Sequence, residues 1–281
     1  MKRVLSIQDI SCLGKCSTTI ALPVISAMGV ETAILPTAVL STHTMFENFT
    51  VKDLMDQLMP ICEHWKSQGI QFDAIYTGYL GSAEEIELVK KIFEMFKTED
   101  TLIFVDPVMA DGGKLYPAFD ESYIDQNASL CSYADIIVPN ITEAALMTHS
   151  EYKEEYDEDY IKGMIQKLVE KGSKVVAITG VGLGENKTGV YGYDTRTNSY
   201  FSYQNDLVGA SYHGTGDLFS SVSVGALVQG ISMEESFKLA ADYTAKTIEE
   251  TLKDPKKPWY GVNFEKTIPL LVEKLKEIKT K

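Results

Sequence analysis

The stretch "YHGTGDLFSSV", residues 212–222, sets two glycines, a threonine and an aspartate directly before an apolar run with helical spacing. Residues of these types suit one of two tasks. They can form a tight turn that caps a helix, or they can gather backbone N–H groups at a helix N-terminus to receive an anion, with Asp217 beside it as a base. Three other stretches carry comparable chemistry: "YTGYLGS" (76–82), "VDPVMADGGKLY" (105–116) and "VPNITEA" (138–144). Each has an ordinary reading when taken alone. Gly78 and Gly81 make a turn, Asp106-Pro107 ends a strand, and Asn140 and Thr142 cap a helix. The informative feature is that all of them fall at strand ends, the edge where open α/β sheets bind ligands.

The elements that must position these stretches follow from hydrophobic periodicity. Residues 4–8, 32–39, 74–77, 102–105, 136–138 and 175–179 are short runs rich in Val, Ile and aromatics and read as buried strands. Between them, 18–28, 52–68, 83–97, 121–131 and 158–171 repeat apolar residues at three- and four-residue steps and read as helices. Strand, helix and strand in that order imply right-handed crossovers and a mostly parallel sheet covered on both faces. After Gly180 the pattern changes: 190–193 and 199–203 flank the polar connection "DTRTN" as a hairpin, and helices at 217–229, 233–252 and 262–279 close the chain. Without a repeat or a dividing linker, the expectation is one domain over residues 1–281.

Several motifs fail on inspection. "LGKCSTT" resembles the end of a phosphate-binding P-loop, but Asp9 stands where the first glycine belongs and Cys16 where Ser or Thr must follow Lys15. Cys12 and Cys16 have no second ligand pair at zinc spacing, and His43 and His64 are isolated. "TGVGLGE" follows a strand but leads into another strand pattern, so no helix N-terminus is available for a dinucleotide.

Composition narrows the partners. The 281 residues are 44% hydrophobic and 23% charged, with a net charge of −14, which argues against nucleic-acid and anionic-membrane partners. A small anionic ligand still fits, because a local pocket can override the global sign. The start reads as a first strand and not as a signal peptide, and the longest apolar segment, 20–30, is far short of a membrane span. Four cysteines in a chain this long suggest no disulfide framework, so a cytoplasmic protein is expected. The acidic run 151–159 reads as a solvated helix start, and Lys274, Lys276, Lys279 and Lys281 as the polar side of a final amphipathic helix.

Taken together, "SIQD", "STHT", "TGYLGS", "DPVMADGGKLY", "PNITEA" and "HGTGD" in this order resemble the ribokinase superfamily, and within it the pyridoxal kinases. The resemblance runs from Val4 to about Leu252. It implies a three-layer α/β/α ribokinase-like fold with a mostly parallel central sheet, helices on both faces and a small flap. Members of that family move the γ-phosphate of ATP to the 5′-hydroxymethyl of pyridoxal, pyridoxine or pyridoxamine, with Mg²⁺ and often a monovalent cation, K⁺ or Na⁺. A homodimer is implied in the same way.

Phosphoryl transfer is mostly positioning and charge neutralisation, so an anion hole of Gly214, Thr215 and Gly216 suits an acidic protein. Asp217 is the expected base, orienting the substrate hydroxyl and accepting its proton late. The resemblance places Mg²⁺ and its waters near Asp106, Asn140 and Glu143. It places the nucleotide near Asp111, Tyr116, Asn140, Thr179, Thr215 and Gly216. "MADGGKLY" resembles a flap hinged at Gly112-Gly113, with Lys114 or Tyr116 able to reach the nucleotide. For the vitamer ring, the matching positions are Asp9, His43, Thr44 and Tyr79. Asp9 stands where a serine is common, Ser17-Thr18 replace a Gly-Asn pair, and Leu40 stands where relatives carry an aromatic. A hydroxymethylpyrimidine kinase of thiamine synthesis is the nearest alternative. It is disfavoured because "SIQDISCLGKCS" lacks the glycine-rich stretch typical of those enzymes, and because Asp217 is not the cysteine of some dual-function relatives. A non-catalytic vitamer-binding protein is a third reading, disfavoured by the intact Gly214, Gly216 and Asp217.

Overall fold

The computed structural model describes residues 1–209 and 212–280; Lys281, the last of the basic C-terminal residues, lies outside them. The chain begins with β1 (Arg3–Leu13), α1 (Thr18–Ala27), β2 (Glu31–Thr42), β3 (Val51–Asp53), α2 (Met55–Ser67) and β4 (Ala74–Thr77). These strands lie in the order β4-β1-β2-β3. β1 and β2 pair in parallel, and their register shifts between Gln8 and Ile10, leaving Asp9 in an irregularity of the ladder. Such a bulge re-aims a side chain, and here it falls on a candidate site residue. β3 adds antiparallel to β2, with Leu40 opposite Val51. Residues 51–53, partly assigned to a helix by their periodicity, are therefore an edge strand.

The middle of the chain carries α3 (Ala83–Phe96), β5 (Leu102–Val105), β6 (Ala110–Asp111), β7 (Lys114–Leu115), α4 (Glu121–Cys131), β8 (Ile136–Ile137), α5 (Ile141–Met147), α6 (Glu158–Glu170), β9 (Val175–Thr179), β10 (Lys187–Asp194) and β11 (Ser199–Asp206). Its sheet runs β11-β10-β9-β8-β5, parallel among β5, β8 and β9 and antiparallel at the β10–β11 hairpin. β6 and β7 form a separate two-stranded hairpin. The helix starts are written locally: Ser82, Asp120, Asn140 and Asp157 each accept a backbone N–H from the first turn of the helix that follows. The chain closes with α7 (Thr215–Val228), α8 (Met233–Leu252) and α9 (Phe264–Lys279).

Two compact units result: Thr77–Asp206 is one, and the segments before and after it make the other. Each has a core of the expected apolar runs, with Val4, Leu5, Ile7, Ile20 and Leu35 fully buried in the first and Ile75 at its β4 edge. Ile103, Phe104, Val105, Ile137 and Ile178 are similarly enclosed in the second. All four cysteines are free, and among the described residues no helix is long and apolar enough to cross a membrane.

Candidate active site

Within the first unit, the glycine-rich loop is a helix start of unusual shape. Gly214 caps α7 in the left-handed region, φ 82°, and a Cβ there would sit 1.9 Å from the carbonyl oxygen of Lys15. Both the dihedral and the close approach demand glycine. The first i→i−4 bond runs from Leu218 N–H to Gly214 O at 3.0 Å, so the amides of Thr215, Gly216 and Asp217 precede the helical ladder and face the N-terminal end. The Thr215 hydroxyl donates to the Tyr212 carbonyl at 3.0 Å, which fixes the loop from the other side. Gly216 is exposed and Asp217 half-buried in the first turn. The segment that failed as a P-loop is therefore the wall against which this loop closes.

Asp9 is buried, and Ser11 Oγ donates to its Oδ2 at 2.9 Å. Burial raises its proton affinity above the ordinary carboxylate range, against the pull of the Ser17 and Ser11 hydroxyls and the nearby His43. Cys16 is buried beside the carboxylates of Asp217 and Asp9, and burial and then those two charges push its thiol up, so it is no nucleophile. The same thiol thus senses the candidate base and the candidate ring partner.

His43 is fully enclosed. Its Nδ1 accepts from Met45 N–H at 3.2 Å and its Nε2 faces the Tyr260 carbonyl at 3.0 Å, which assigns the proton to Nε2 of a neutral ring. Burial lowers its pKa, against the hydrogen bond to Tyr260 and the field of Asp9. Both nitrogens are committed to backbone, so neither is left to bond a ligand. Its ring lies 4.5 Å from that of His213 and 4.9 Å from that of Phe46. Thr44 is exposed in the turn that follows. Sequence reasoning did not single out Ser11, Lys15, His213, Phe46, Trp259 or Tyr260. His213 was already part of the quoted "HGTGD". Lys15, whose ammonium binds Glu265 at 2.5 Å and whose stem packs on Gly261, had no local signal.

In the second unit, the "TGYLGS" turn is held by Glu85, which accepts from Gly81 N–H, and by the Tyr123 hydroxyl, which donates to the Leu80 carbonyl at 2.7 Å. Tyr79 is half-buried, with its ring 5.4 Å from Phe119. Asp106 and Glu143 are both buried. Desolvation and the charge of Asp106 raise Glu143 well above the usual carboxylate range.

Asn140 and Glu143 form a reciprocal capping box on α5. Glu143 Oε2 accepts from Asn140 N–H at 2.8 Å, while Oε1 accepts from Met109 N–H at 3.0 Å and weakly from Ala110 N–H at 3.5 Å. Asn140 Nδ2 donates to the Ala110 carbonyl at 2.8 Å. Both Glu143 oxygens are thus spent on backbone. Among the described residues no group of three or more His, Cys, Asp or Glu gathers around one point.

Asp111 is exposed on β6, where its Oδ1 accepts from Gly112 N–H. Tyr116 is half-buried just after β7. Thr179 ends β9, bridges to Asn140 and donates its N–H to the Pro139 carbonyl at 2.9 Å. Gly112 and Gly113 both have positive φ, 55° and 76°, and form the two-residue turn of the β6–β7 hairpin. They are the tip of the expected flap and not its hinge.

Residues 21–258 match the family model described as phosphomethylpyrimidine kinase. The chain is 30% identical over 190 residues to a pyridoxine kinase of Bacillus subtilis, covering 66% of this chain and 67% of that protein. Among solved structures, a protein of Bacteroides thetaiotaomicron described as a putative phosphomethylpyrimidine kinase, crystallised with pyridoxal, superposes with a TM-score of 0.91. It is 37% identical, with 96% of this chain and 95% of that chain covered. Pyridoxal kinase from Lactobacillus plantarum gives a TM-score of 0.90 at 28% identity, with 99% of both chains covered. The fold class is the expected one: α/β, with a mostly parallel central sheet and helices on both sides.

Proposed function

The chain belongs to the phosphomethylpyrimidine kinase family, on the pyridoxal kinase branch of the ribokinase superfamily, and from that membership we propose that it phosphorylates B6 vitamers. ATP is the phosphate donor, and the acceptor is the 5′-hydroxymethyl group of pyridoxal, pyridoxine or pyridoxamine. The observation that carries this reading is the start of α7, where a left-handed Gly214 wedged on the Lys15 carbonyl aims the first amides of a helix at one point with Asp217 alongside.

In the proposed step, the vitamer oxygen forms a bond to the γ-phosphorus as the bond to the β,γ-bridging oxygen breaks, and ADP leaves. Asp217 orients the hydroxyl and accepts its proton late, since a primary alcohol is too weak an acid to be deprotonated first. The amides of Thr215 and Gly216 meet the equatorial oxygens as charge spreads over them. Mg²⁺, when bound, would supply charge neutralisation at the phosphates. Asp106 would hold it through water, with Asn140 and Glu143 shaping the loop that carries Asp106. Thr179, Asp111 and Tyr116 are assigned to the nucleotide side, and K⁺ or Na⁺ would be a second cation there. Asp9, with its raised proton affinity, pairs with the ring nitrogen or ring hydroxyl of the vitamer. Tyr79 supplies an aromatic face, and His43 and Thr44 line the ring pocket. A cytoplasmic homodimer completes the proposal.

The description of the matching family model keeps hydroxymethylpyrimidine as a second acceptor to examine. One assay separates the readings: ATP-dependent phosphorylation of pyridoxal, pyridoxine, pyridoxamine and hydroxymethylpyrimidine, side by side, with and without Mg²⁺. Turnover is expected on the B6 vitamers and is expected to stop on chelation. No turnover on any of the four would leave a binding protein on the same scaffold.

A further inference from the structure

The hairpin of β6 and β7 is gripped at both ends by the first turn of α5. Its base is held by Glu143 on the Met109 and Ala110 amides and by Asn140 on the Ala110 carbonyl. Its tip is held differently. Gly113 N–H donates to the buried hydroxyl of Thr142 at 3.0 Å, and the ring of Tyr152 fills the space where a Gly113 side chain would project, 2.6 Å from an added Cβ. The base grip is buried and involves a carboxylate. The tip grip is a neutral hydroxyl and a ring that is 36% exposed, so the tip is the more weakly held end. Asp111 and Lys114 flank the turn and are exposed, so their placement depends on the tip.

The geometry points to Thr142 and Tyr152 as positioning residues: they dock the hairpin tip and so hold Asp111 and Lys114 in one place for the phosphates of a nucleotide. This rests on the kinase reading above, and neither residue needs to touch the nucleotide. Gly113 is then required at the tip on two counts, its positive φ and the ring packed against it.

The test uses the full chain and the variants Thr142→Val, Tyr152→Ala and Thr142→Ser. Two quantities are measured: the rate of tryptic cleavage after Lys114, located by mass spectrometry, and the affinity for ADP with Mg²⁺ by calorimetry. Thr142→Val and Tyr152→Ala are expected to be cleaved about 2- to 12-fold faster and to bind ADP more weakly by a similar factor, the range that one neutral hydrogen bond controls. Pyridoxal affinity is expected to stay unchanged, and Thr142→Ser, which keeps the hydroxyl, to match the parent in both. Unchanged cleavage would overturn the docking role. Faster cleavage with unchanged ADP affinity would overturn the positioning role. A parent chain that binds no ADP would instead refute the kinase reading, and the positioning role with it, while the cleavage rates would still decide whether the tip is docked.

Discussion

Replacing Gly214 with alanine tests the loop at its tightest point. The added Cβ would lie 1.9 Å from the Lys15 carbonyl oxygen, 2.9 Å from the Lys15 carbonyl carbon and 3.0 Å from Ile20 Cδ1. That is roughly 1.4 Å inside the shortest comfortable C···O approach of about 3.3 Å. Two of the three atoms are backbone, so a rotamer change cannot relieve the clash. The left-handed dihedral costs an alanine about 1–2 kcal/mol, and forcing atoms into a packed contact costs about 1–3 kcal/mol. A loss of roughly 2–5 kcal/mol follows, or a fall in Tm of roughly 3–9 °C for a chain of this size. The loop can relax only by moving about an ångström, which shifts the Thr215 and Gly216 amides, and a displacement of that order typically costs about 100-fold in kcat. Gly230→Ala is the control. Gly230 lies just beyond the other end of α7 with φ 84° and nothing within 4 Å of its added Cβ, so it carries the dihedral cost alone. The assay pairs kcat for pyridoxal phosphorylation with thermal melts of both variants. A Gly214→Ala protein with the kcat and Tm of the Gly230→Ala protein would refute the reasoning.

Asp217→Asn keeps the shape of the helix start and removes the proton acceptor, so kcat should fall by about 10²–10⁴-fold with little change in Tm; a variant keeping half the parent kcat would remove Asp217 from the mechanism. Burial and the neighbouring His43 lower the pKa of His213 from 6.5 to about 4. A depressed folded-state pKa means the unfolded chain takes up the proton first. Its contribution is therefore fully present above pH 6.5 and is lost as pH falls towards 4, by about 3 kcal/mol in all. His213→Gln should flatten that part of the stability–pH curve in urea melts; an unchanged slope would show that His213 is not its source. Glu143→Ala strips the acceptor from the Met109, Ala110 and Asn140 amides and should cost roughly 2–6 kcal/mol in urea unfolding. A loss below about 1 kcal/mol, the worth of a single neutral hydrogen bond, would contradict the loop-anchoring role given to it.

Much of the fold is written in local patterns. Val175–Thr179, Ala74–Thr77 and Leu102–Val105 are strands at the expected residues, because runs of β-branched and aromatic side chains suit a sheet buried on both faces. Met233–Leu252 and Glu121–Cys131 are helices at the expected residues, each opened by a capping Ser232 or Asp120. The misses have physical causes. Residues 51–53 continue the apolar spacing of α2, and only pairing with β2 turns them into a strand. α5 is seven residues long, too short for periodicity to register, although its capping box was visible as a cap. Gly112-Gly113 looked like a hinge because two glycines are compatible with motion. Their positive φ angles and the flanking ladder make them a turn instead.

The site divides along the same line. Glu143 was expected near a metal because of the family resemblance that its motif carries, against the ordinary reading of an acid three residues after a cap. Which groups its oxygens face is settled by the chain 34 residues away at Met109. His43 was assigned to the ring pocket by its place in "STHT", and both of its nitrogens turn out to be satisfied by backbone, one of them at Tyr260.

By itself the sequence determined the element order, the helix caps, the glycines before α7, the aspartate that follows them and the family to which they belong. Those depend on residue type and short spacing, which a linear chain carries. Only the tertiary structure decided that Gly214 closes on Lys15, that Glu143 binds the hairpin base, and that Thr142 and Tyr152 hold its tip. Such contacts join residues tens or hundreds of positions apart, and no local propensity encodes which distant backbone group a side chain will meet.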